Sequence, residues 1–567
     1  MSSPLRAPGW WKSAVVYQVY PRSFMDSDGD GVGDLAGITS RLDHLGTLGV
    51  DVLWLSPVYR SPMDDNGYDI SDYEDVDPLF GTLADLDALV AGCHERGIRV
   101  VMDLVVNHTS DEHPWFVESR DPASPKRDWY WWRPPRADGS APTNWESFFG
   151  GSAWEYDDRS GEYYLHLFSR KQPDLDWENP EVRQAVHAMM RRWVDRGIDG
   201  FRMDVIELIS KEADLRDGVP ADGQTLASPV GVSFGPRLHE FLVEMNHEVG
   251  LSAEHLLTVG EMGMSTIEQA RQVTDPARGE LDMLFSFEHL WQDEVPGQGK
   301  WGLKPLHLPD LKRVLERWQN GLADIGWNSL YWDNHDQPRA VSRFGDDSPD
   351  HRIVSAKTLA TVLHLHRGTP YVYQGEELGM TNAGFTRVEQ YADLESLNWA
   401  REALARGLRE EAVLRALATK SRDNARTPMQ WDASENAGFT SGTPWLPAHA
   451  NRDVVNAEAE LADPDSVFHH YRRLIELRHS DDVVVDGRFA LLLPDDPAVW
   501  AFTRTLGDQV LLVLANLSGD PVTISPDDVP DVSGREVLLP THAPPYGSTL
   551  RPWESRIERG RFDPGTS

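Results

Sequence analysis

Four apolar segments of this 567-residue chain end in side chains that can bind ligands or transfer protons. An aspartate at the end of one strand often caps the next helix, but four such ends are hard to explain by capping alone. Three carboxyl groups in one pocket, without a cysteine nucleophile, are typical of glycoside hydrolysis. The segments are 98–108 with Asp103, Asn107 and His108; 200–205 with Arg202 and Asp204; 256–262 with Glu261; and 328–336 with His335 and Asp336.

A retaining mechanism needs one carboxylate nucleophile and one carboxyl acid/base. Arg202 precedes Asp204 by two residues, which places both side chains on the same face of a strand. We expect the guanidinium group to favour the ionised form of Asp204, as a nucleophile requires. We expect Glu261 to be the acid/base, with a pKa raised by burial and by neighbouring carboxylates.

The elements that must position these side chains are short apolar runs that alternate with helical stretches. Near-continuous apolar runs are typical of parallel strands buried on both faces. One helical stretch has Val182, Val186, Met189, Met190 and Trp193 close to a helical period. The pattern predicts an α/β fold, a (β/α)8 TIM barrel whose strand ends meet at one pocket. The strands are expected in 14–21, 50–57, 98–108, 200–205, 256–262, 281–287, 328–336 and 369–377.

Two regions interrupt this alternation and predict the domain organisation. Residues 108–175 are rich in Trp, Pro, Gly and Tyr without a helical period, which indicates an irregular subdomain inserted after the third strand. Residues 486–567 show strand-like runs separated by turn signals, which predicts a C-terminal antiparallel β-sandwich domain. Residues 1–107 and 176–485 then form the two parts of the barrel.

Composition excludes several classes of partner. A net charge of −37 with a pI of about 4.8 argues against binding of nucleic acid or anionic lipid. The single cysteine, Cys93, is expected to be a buried packing residue and is typical of a reducing compartment. With no leader pattern and no apolar run of about 18 residues, we expect a cytoplasmic protein without a membrane partner. The sequence leaves the oligomeric state open.

The acidic loop 26–34, "DSDGDGVGD", has the alternating carboxylates of a calcium loop. It is not an EF-hand, because the twelfth position is Gly37 and the preceding segment has the residues of a strand. Such a loop can bind a single hard cation or form a solvated acidic turn, and the loop by itself does not decide between them.

The motifs "DLVVNH", "GFRMDV", "GEM" and "NHDQPR" resemble the four signature regions of the α-amylase family, glycoside hydrolase family 13. The resemblance covers nearly the whole chain. Three further motifs, "DNGYDISDY", "QPDLDW" and "RDNARTPMQW", narrow it to the oligo-1,6-glucosidase and α-glucosidase group.

The resemblance implies α-retaining double displacement on a small oligosaccharide. Asp204 matches the nucleophile, Glu261 the acid/base, and Asp336 a third carboxylate that binds sugar hydroxyls and favours the distorted ring. Asp65 and Arg426 match a pair that closes the pocket around the non-reducing-end glucose, which favours exo-action. Further positions match residues that orient the nucleophile or line the pocket: Tyr68, His108, Phe149, Phe168, Gln172, Arg202, Phe287 and His335.

The resemblance also implies a structural Ca2+ site, with Mg2+ as an alternative, in the first loop. Its ligands match Asp26, Asp28, Asp30, the carbonyl of Val32, and Asp34.

Linkage preference rests on Val205, because valine after the nucleophile accompanies α-1,6 specificity in this group. The alternatives are α-1,4-glucosidase, sucrose hydrolase, and a transglycosylating or isomerising relative such as a sucrose isomerase. Glu207, Gly263 and Asp176 depart from the usual residues of the group, and these departures bear on the preference for the leaving sugar.

Overall fold

Residues 16–373 contain a closed barrel of eight parallel strands, as the sequence predicts. A computed structural model describes residues 8–221 and 224–561. The strands pair in the order β6-β5-β4-β3-β2-β1-β8-β7, and a parallel bridge between Leu284 and Asn328 joins the two edge strands. Their bounds are β1 Val16–Val19, β2 Val52–Leu55, β3 Arg99–Val105, β4 Gly200–Asp204, β5 Leu257–Glu261, β6 Met283–Phe285, β7 Ser329–Leu330 and β8 Thr369–Tyr373.

The strands are shorter than the apolar runs that predicted them. Every residue of β1, β2, β4, β5, β6 and β8 is buried, which explains the continuous apolar pattern. Strand β7 has two residues, although the run extends over 328–336. The chain beyond Leu330 therefore forms a long loop, and Asp336 lies in this loop.

Helices surround the barrel, and several of them begin with a side-chain cap. The helix after β2 begins with a capping box between Thr82 and Asp85, and the helix after the insertion begins with the Asn179 cap and ends before Gly197. Among the described residues, no helix is long and apolar enough to cross a membrane. The α-helices are Leu35–Ser40, Leu42–Leu48, Leu83–Glu95, Pro114–Ser119, Pro180–Arg196, Leu238–Val249, Ile267–Val273, Leu308–Gly321, Ala340–Phe344, Arg352–Leu365, Leu394–Ala405, Glu410–Lys420, Asp423–Arg426, Ala457–Ala462, Val467–Ser480 and Asp482–Asp486.

The insertion after β3 is more regular than predicted. It contains a three-stranded antiparallel sheet in which Glu162–Leu165 pairs with Trp132–Arg133 on one side and Trp154–Asp157 on the other. Buried tryptophans pack around it, including Trp131, Trp145 and Trp154. Aromatic packing, which has no helical period, therefore organises this segment. A short antiparallel pair, Tyr59–Arg60 with Asp72–Val76, precedes β3.

The C-terminal region forms a five-stranded antiparallel sheet and a two-stranded one. The larger sheet has the order Arg488–Leu492, Val499–Leu506, Gln509–Asn516, Ser555–Arg561 and Ser533–Leu538, and the smaller pairs Val522–Thr523 with Thr549–Leu550. Lys312, on the helix Leu308–Gly321 of the barrel, donates hydrogen bonds to the carbonyls of Leu493, Asp496 and Val499, at 2.6, 2.8 and 2.9 Å.

Candidate active site

One guanidinium group joins the carboxylates at the ends of β3, β4 and β5. Arg202 is fully buried, and its Nη1 lies 2.8 Å from Asp103 Oδ1 and 2.5 Å from Asp204 Oδ1. Its Nη2 lies 2.7 Å from Glu261 Oε2. Asp204 and Glu261 are the last residues of their strands, so the barrel brings them to the same cation, as expected from the position of Arg202.

The carboxyl groups of Asp204 and Glu261 have different pKa values. Burial raises the pKa of Glu261 to about 8, and the charges of Asp204 and Asp336 add to the rise although Arg202 opposes it. Burial raises the pKa of Asp204 to about 6, against the lowering effect of Arg202. The guanidinium group acts as predicted, but desolvation outweighs it. Near neutral pH, Asp204 is therefore largely ionised while Glu261 holds a proton.

Val205 follows Asp204 in a left-handed conformation, with φ of 37° and ψ of 38°. Such a φ is an outlier for a β-branched residue and marks a strained backbone. Its N–H donates to Glu261 Oε2 at 3.1 Å. The strain therefore lies at the hydrogen bond that links the turn after β4 to the carboxyl group at the end of β5.

Aromatic rings pack around Asp103 behind the carboxylates. Asp103 Oδ2 accepts hydrogen bonds from Trp54 Nε1 at 3.0 Å and from Tyr68 Oη at 3.2 Å. The Tyr68 ring stacks on His335, with centroids 5.1 Å apart and planes 5° from parallel. Burial lowers the pKa of His335 to about 3, so this imidazole is neutral at ordinary pH.

Asp336 lies between cationic groups supplied by the chain after β8. Arg426 Nη2 donates to Asp336 Oδ1 at 2.6 Å, and Arg422 Nη1 lies 3.5 Å from the same oxygen. His335 Nε2 lies 3.2 Å from Asp336 Oδ2. Burial alone raises the pKa of Asp336, but His335 and the two guanidinium groups outweigh it and hold the pKa well below the usual range. Asp336 is therefore ionised.

The ion-pair partner of Asp65 is Arg422, whereas Arg426, which was predicted together with Asp65 to close the pocket, bonds to other groups. Arg422 Nη2 donates to Asp65 Oδ1 at 3.0 Å, and its Nε donates to Asp393 Oδ1 at 2.7 Å. Arg426 instead donates to Asp336 and to the carbonyl of His335, at 2.6 and 2.9 Å. The two arginines lie one turn apart around the short helix Asp423–Arg426, so sequence spacing does not distinguish them.

Residues of the insertion and of β3 complete this end of the pocket. Gln172 Nε2 donates to Asp65 Oδ2 at 3.1 Å and lies 3.2 Å from His108 Nε2. The Phe168 ring packs against His108, at 5.2 Å, and against Phe149, at 5.6 Å. The predicted residues Asp65, His108, Phe168 and Gln172 therefore lie together in one cluster.

A cleft of about 580 Å³ opens beside Asp336. Phe149 and Phe287, both predicted pocket residues, line it. Its wall also carries the stacked pair Trp301 and Trp399, with centroids 4.5 Å apart, and the 43% exposed Trp291. Asp204 and Glu261 are more buried than Asp336, whose side chain is 31% exposed. The cleft therefore gives solvent access to Asp336, the most exposed of the three carboxylates.

Three of the predicted cation ligands converge in the acidic loop. Oxygen atoms of Asp26, Asp28 and Asp34 lie within 4.8 Å of one another. Asp26 also accepts hydrogen bonds from Gly29 N–H, at 2.7 Å, and from Thr440. The Asp30 carboxylate lies outside this group and accepts the Val32 N–H at 2.8 Å. Hard carboxylate oxygens at this spacing fit Ca2+ or Mg2+ chemistry.

The barrel, the buried carboxylates and the cleft define the class of protein as a glycoside hydrolase built on a (β/α)8 barrel. Residues 18–487 match the family model "Alpha amylase, catalytic domain", and residues 489–557 match "Maltogenic Amylase, C-terminal domain". The chain belongs to the α-amylase family of glycoside hydrolases.

Its relatives within this family have different activities. The chain is 55% identical to an oligo-1,6-glucosidase of Parageobacillus thermoglucosidasius, over 98% of this chain and 99% of that protein. A crystal structure of Bacillus licheniformis trehalose-6-phosphate hydrolase is 48% identical, with a TM-score of 0.92 over 98% of this chain and 100% of that one. An isomaltulose synthase of Erwinia rhapontici, in complex with sucrose, is 41% identical, with a TM-score of 0.91 over 98% and 99%.

Two residues of this site were missed as site residues by sequence reasoning. Arg422 is the first residue of the motif "RDNARTPMQW", so the motif pointed to the correct segment, in which Arg426 was named as a site residue and Arg422 was not. Trp291 lies in a segment without a motif, and its exposure is visible only in the structure.

Proposed function

We propose that this chain is a retaining, exo-acting α-glucosidase that releases glucose from the non-reducing end of short α-glucosides and prefers α-1,6 links. The observation that carries the proposal is the buried ion pair of Asp65 and Arg422, which lies next to Asp336 and which we infer closes this end of the pocket. A sugar chain that extends through this end has no path, so the terminal glucose is the unit that fits.

The proposed chemistry follows from the protonation states. Asp204, ionised near neutral pH, attacks the anomeric carbon, while Glu261 donates its proton to the leaving oxygen. Glu261, then ionised, removes a proton from water, which hydrolyses the glucosyl-enzyme intermediate. Arg426 holds the Asp336 carboxylate in place, and this carboxylate accepts hydrogen bonds from sugar hydroxyls.

The charge of the cleft favours an uncharged leaving sugar over a phosphorylated one. Its lining includes five carboxylate residues and three cationic ones. Two of the cations are already paired: Lys300 with Glu395, and Lys420 with Glu294 at 3.2 Å. A phosphate dianion would meet net negative charge here. We therefore favour isomaltose and isomalto-oligosaccharides over trehalose 6-phosphate, the substrate in the name of one relative.

Comparative initial rates on isomaltose, maltose, sucrose, trehalose and trehalose 6-phosphate test the proposal. We expect isomaltose to be hydrolysed fastest, since valine follows the nucleophile Asp204 and two relatives that are 55% and 53% identical to this chain are oligo-1,6-glucosidases. Dominant turnover of maltose or sucrose would support the α-1,4 or sucrose-hydrolase alternative. Isomaltulose or trehalulose from sucrose would replace hydrolysis with isomerisation.

We further propose that Asp26, Asp28 and Asp34 bind a structural Ca2+ or Mg2+ ion. The ion would brace the loop after β1, which Asp26 also links to Thr440. A cytoplasmic location is proposed from the composition, supported by the single, buried Cys93.

A further inference from the structure

Glu207 is a buried carboxyl group between the two turns that follow Asp204 and Glu261. It lies in the 3-10 turn Ile206–Leu208, directly after β4, and is 4% exposed. Its Oε1 accepts a hydrogen bond from Met264 N–H at 3.0 Å. Since Met264 follows the end of β5, this side chain joins the turn after β4 to the turn after β5.

A second hydrogen bond joins the same turns in the opposite direction. Val205 N–H, in the turn after β4, donates to Glu261 Oε2 at the end of β5, at 3.1 Å. Each side therefore supplies one carboxylate and one backbone N–H to the other. We call these two hydrogen bonds, Glu207 with Met264 and Glu261 with Val205, the carboxylate–amide clasp.

The clasp accounts for the strained backbone of Val205. A left-handed β-branched residue costs roughly 1–3 kcal/mol and persists only where its surroundings hold it. The Val205 carbonyl accepts the Leu208 N–H at 2.9 Å, and Glu207 lies within this turn. The position of Val205 N–H, and with it that of Glu261, therefore depends on how Glu207 fixes the turn.

We propose that Glu207 is a positioning residue that holds the acid/base Glu261 in place through the carboxylate–amide clasp. The inference rests on the proposed function, because it takes Glu261 as the proton donor to the leaving group. The other oxygen of Glu207, Oε2, accepts the Ser233 hydroxyl at 3.2 Å, so the carboxylate is fixed at both oxygens. Burial raises the pKa of Glu207 to about 7, and the charge of Glu261 adds to the rise.

Displacement of the acid/base Glu261 changes the relative rates on two kinds of substrate, whereas general loss of structure does not. An alkoxide leaving group, as in isomaltose, needs protonation as its bond breaks, whereas a nitrophenolate leaves with little help. Loss of the clasp is therefore expected to slow isomaltose cleavage selectively. General disorder of the pocket would slow both substrates to the same extent.

The test compares kcat/KM on isomaltose and on p-nitrophenyl α-glucoside for three variants. Glu207→Ala removes the acceptor for Met264 N–H; we expect a loss of about 30-fold on isomaltose and less than about 3-fold on the aryl glucoside. Glu207→Gln keeps an acceptor oxygen and should restore isomaltose cleavage to within about 3-fold of wild type. Glu207→Asp retracts the carboxylate by one methylene and should show the selective loss even if the Ala variant does not fold.

Glu460→Gln is the matched control, because Glu460 is a buried glutamate that accepts the backbone N–H groups of Val467 and Phe468 away from the barrel mouth. We expect it to leave the ratio between the two substrates unchanged. Equal losses on both substrates in Glu207→Ala and Glu207→Asp, or no loss on isomaltose, would overturn the inference. The proposed function fails separately, if the wild-type enzyme does not hydrolyse isomaltose.

Discussion

The pH dependence of kcat/KM is the sharpest test of the roles given to Asp204 and Glu261. The nucleophile must be ionised and the acid must be protonated, and the pKa values are about 6 for Asp204 and about 8 for Glu261. Activity should therefore fall below about pH 6 and above about pH 8. Because these two pKa values differ by about two pH units, about four fifths of the enzyme has Asp204 ionised and Glu261 protonated at the midpoint, near pH 7.

The assay is the initial rate on isomaltose at substrate concentrations well below KM, across the pH range at constant ionic strength. Because the two groups share Arg202, the limbs belong to the pair and not to either residue separately. The reasoning is refuted if the alkaline limb lies near pH 4 to 5, about the pKa of an unperturbed glutamate. In Glu261→Gln the residual activity should lose its alkaline limb, because the titrating acid is gone.

Three further predictions address the nucleophile, the buried acid pair and the cation. Asp204→Ala should lower kcat by several powers of ten with an unchanged circular dichroism spectrum; appreciable residual turnover would contradict its role. Burial and the nearby Asp333 hold the pKa of Glu376 well above its usual range, so the native state binds a proton that the unfolded chain releases near pH 4. Stability should therefore decline as pH rises above about 4, by at most about 1.4 kcal/mol per pH unit from this group, and denaturant titration of Glu376→Gln should show a shallower decline; parallel pH curves would argue against it. Excess chelator should lower Tm more than it lowers activity at moderate temperature, and re-addition of Ca2+ should restore Tm; a Tm that chelator leaves unchanged counts against the cation site.

Substitution of Arg422 and of Arg426 tests whether the two arginines have separate roles. Arg422→Met leaves Asp65 and Asp393 buried without this cation, which should raise KM for isomaltose and destabilise the fold by roughly 3–5 kcal/mol. Arg426→Met should act differently, with a larger effect on kcat, since Arg426 holds Asp336. Thermal unfolding and steady-state kinetics measured on both variants check this contrast. An identical effect of the two substitutions would show that the arginines are equivalent.

The barrel was predictable from the sequence because parallel strands buried on both faces leave continuous apolar runs. For the same reason, the sequence does not predict where each strand ends. Apolar residues such as Tyr331 and Trp332 continue past β7 into a buried loop, so burial and not hydrogen bonding sets the length of the run. The inserted sheet gave no periodic signal, because its aromatic residues pack on both sides.

The carboxylates of the site were also predictable, since a barrel directs its strand ends to one place. The partners of those carboxylates were not. Arg422 and Arg426 lie on one short helix, and only their contacts in three dimensions distinguish them. In the acidic loop, oxygen atoms of Asp26, Asp28 and Asp34 form one compact group, whereas Asp30 has the spacing of a ligand and lies outside that group. Which of the alternating carboxylates converge depends on the path of the loop backbone and is not visible in the spacing of residues.

The anchoring of Lys312 limits how this protein can be divided. Three carbonyl groups from the C-terminal segment surround an ammonium group on a barrel helix. A chain cut near residue 487, where the two family matches meet, would leave that ammonium group without these acceptors. We therefore expect a barrel segment that ends at this boundary to be less stable than the whole chain. Engineering that exchanges the terminal domain must carry the acceptor loop with it, or replace the lysine.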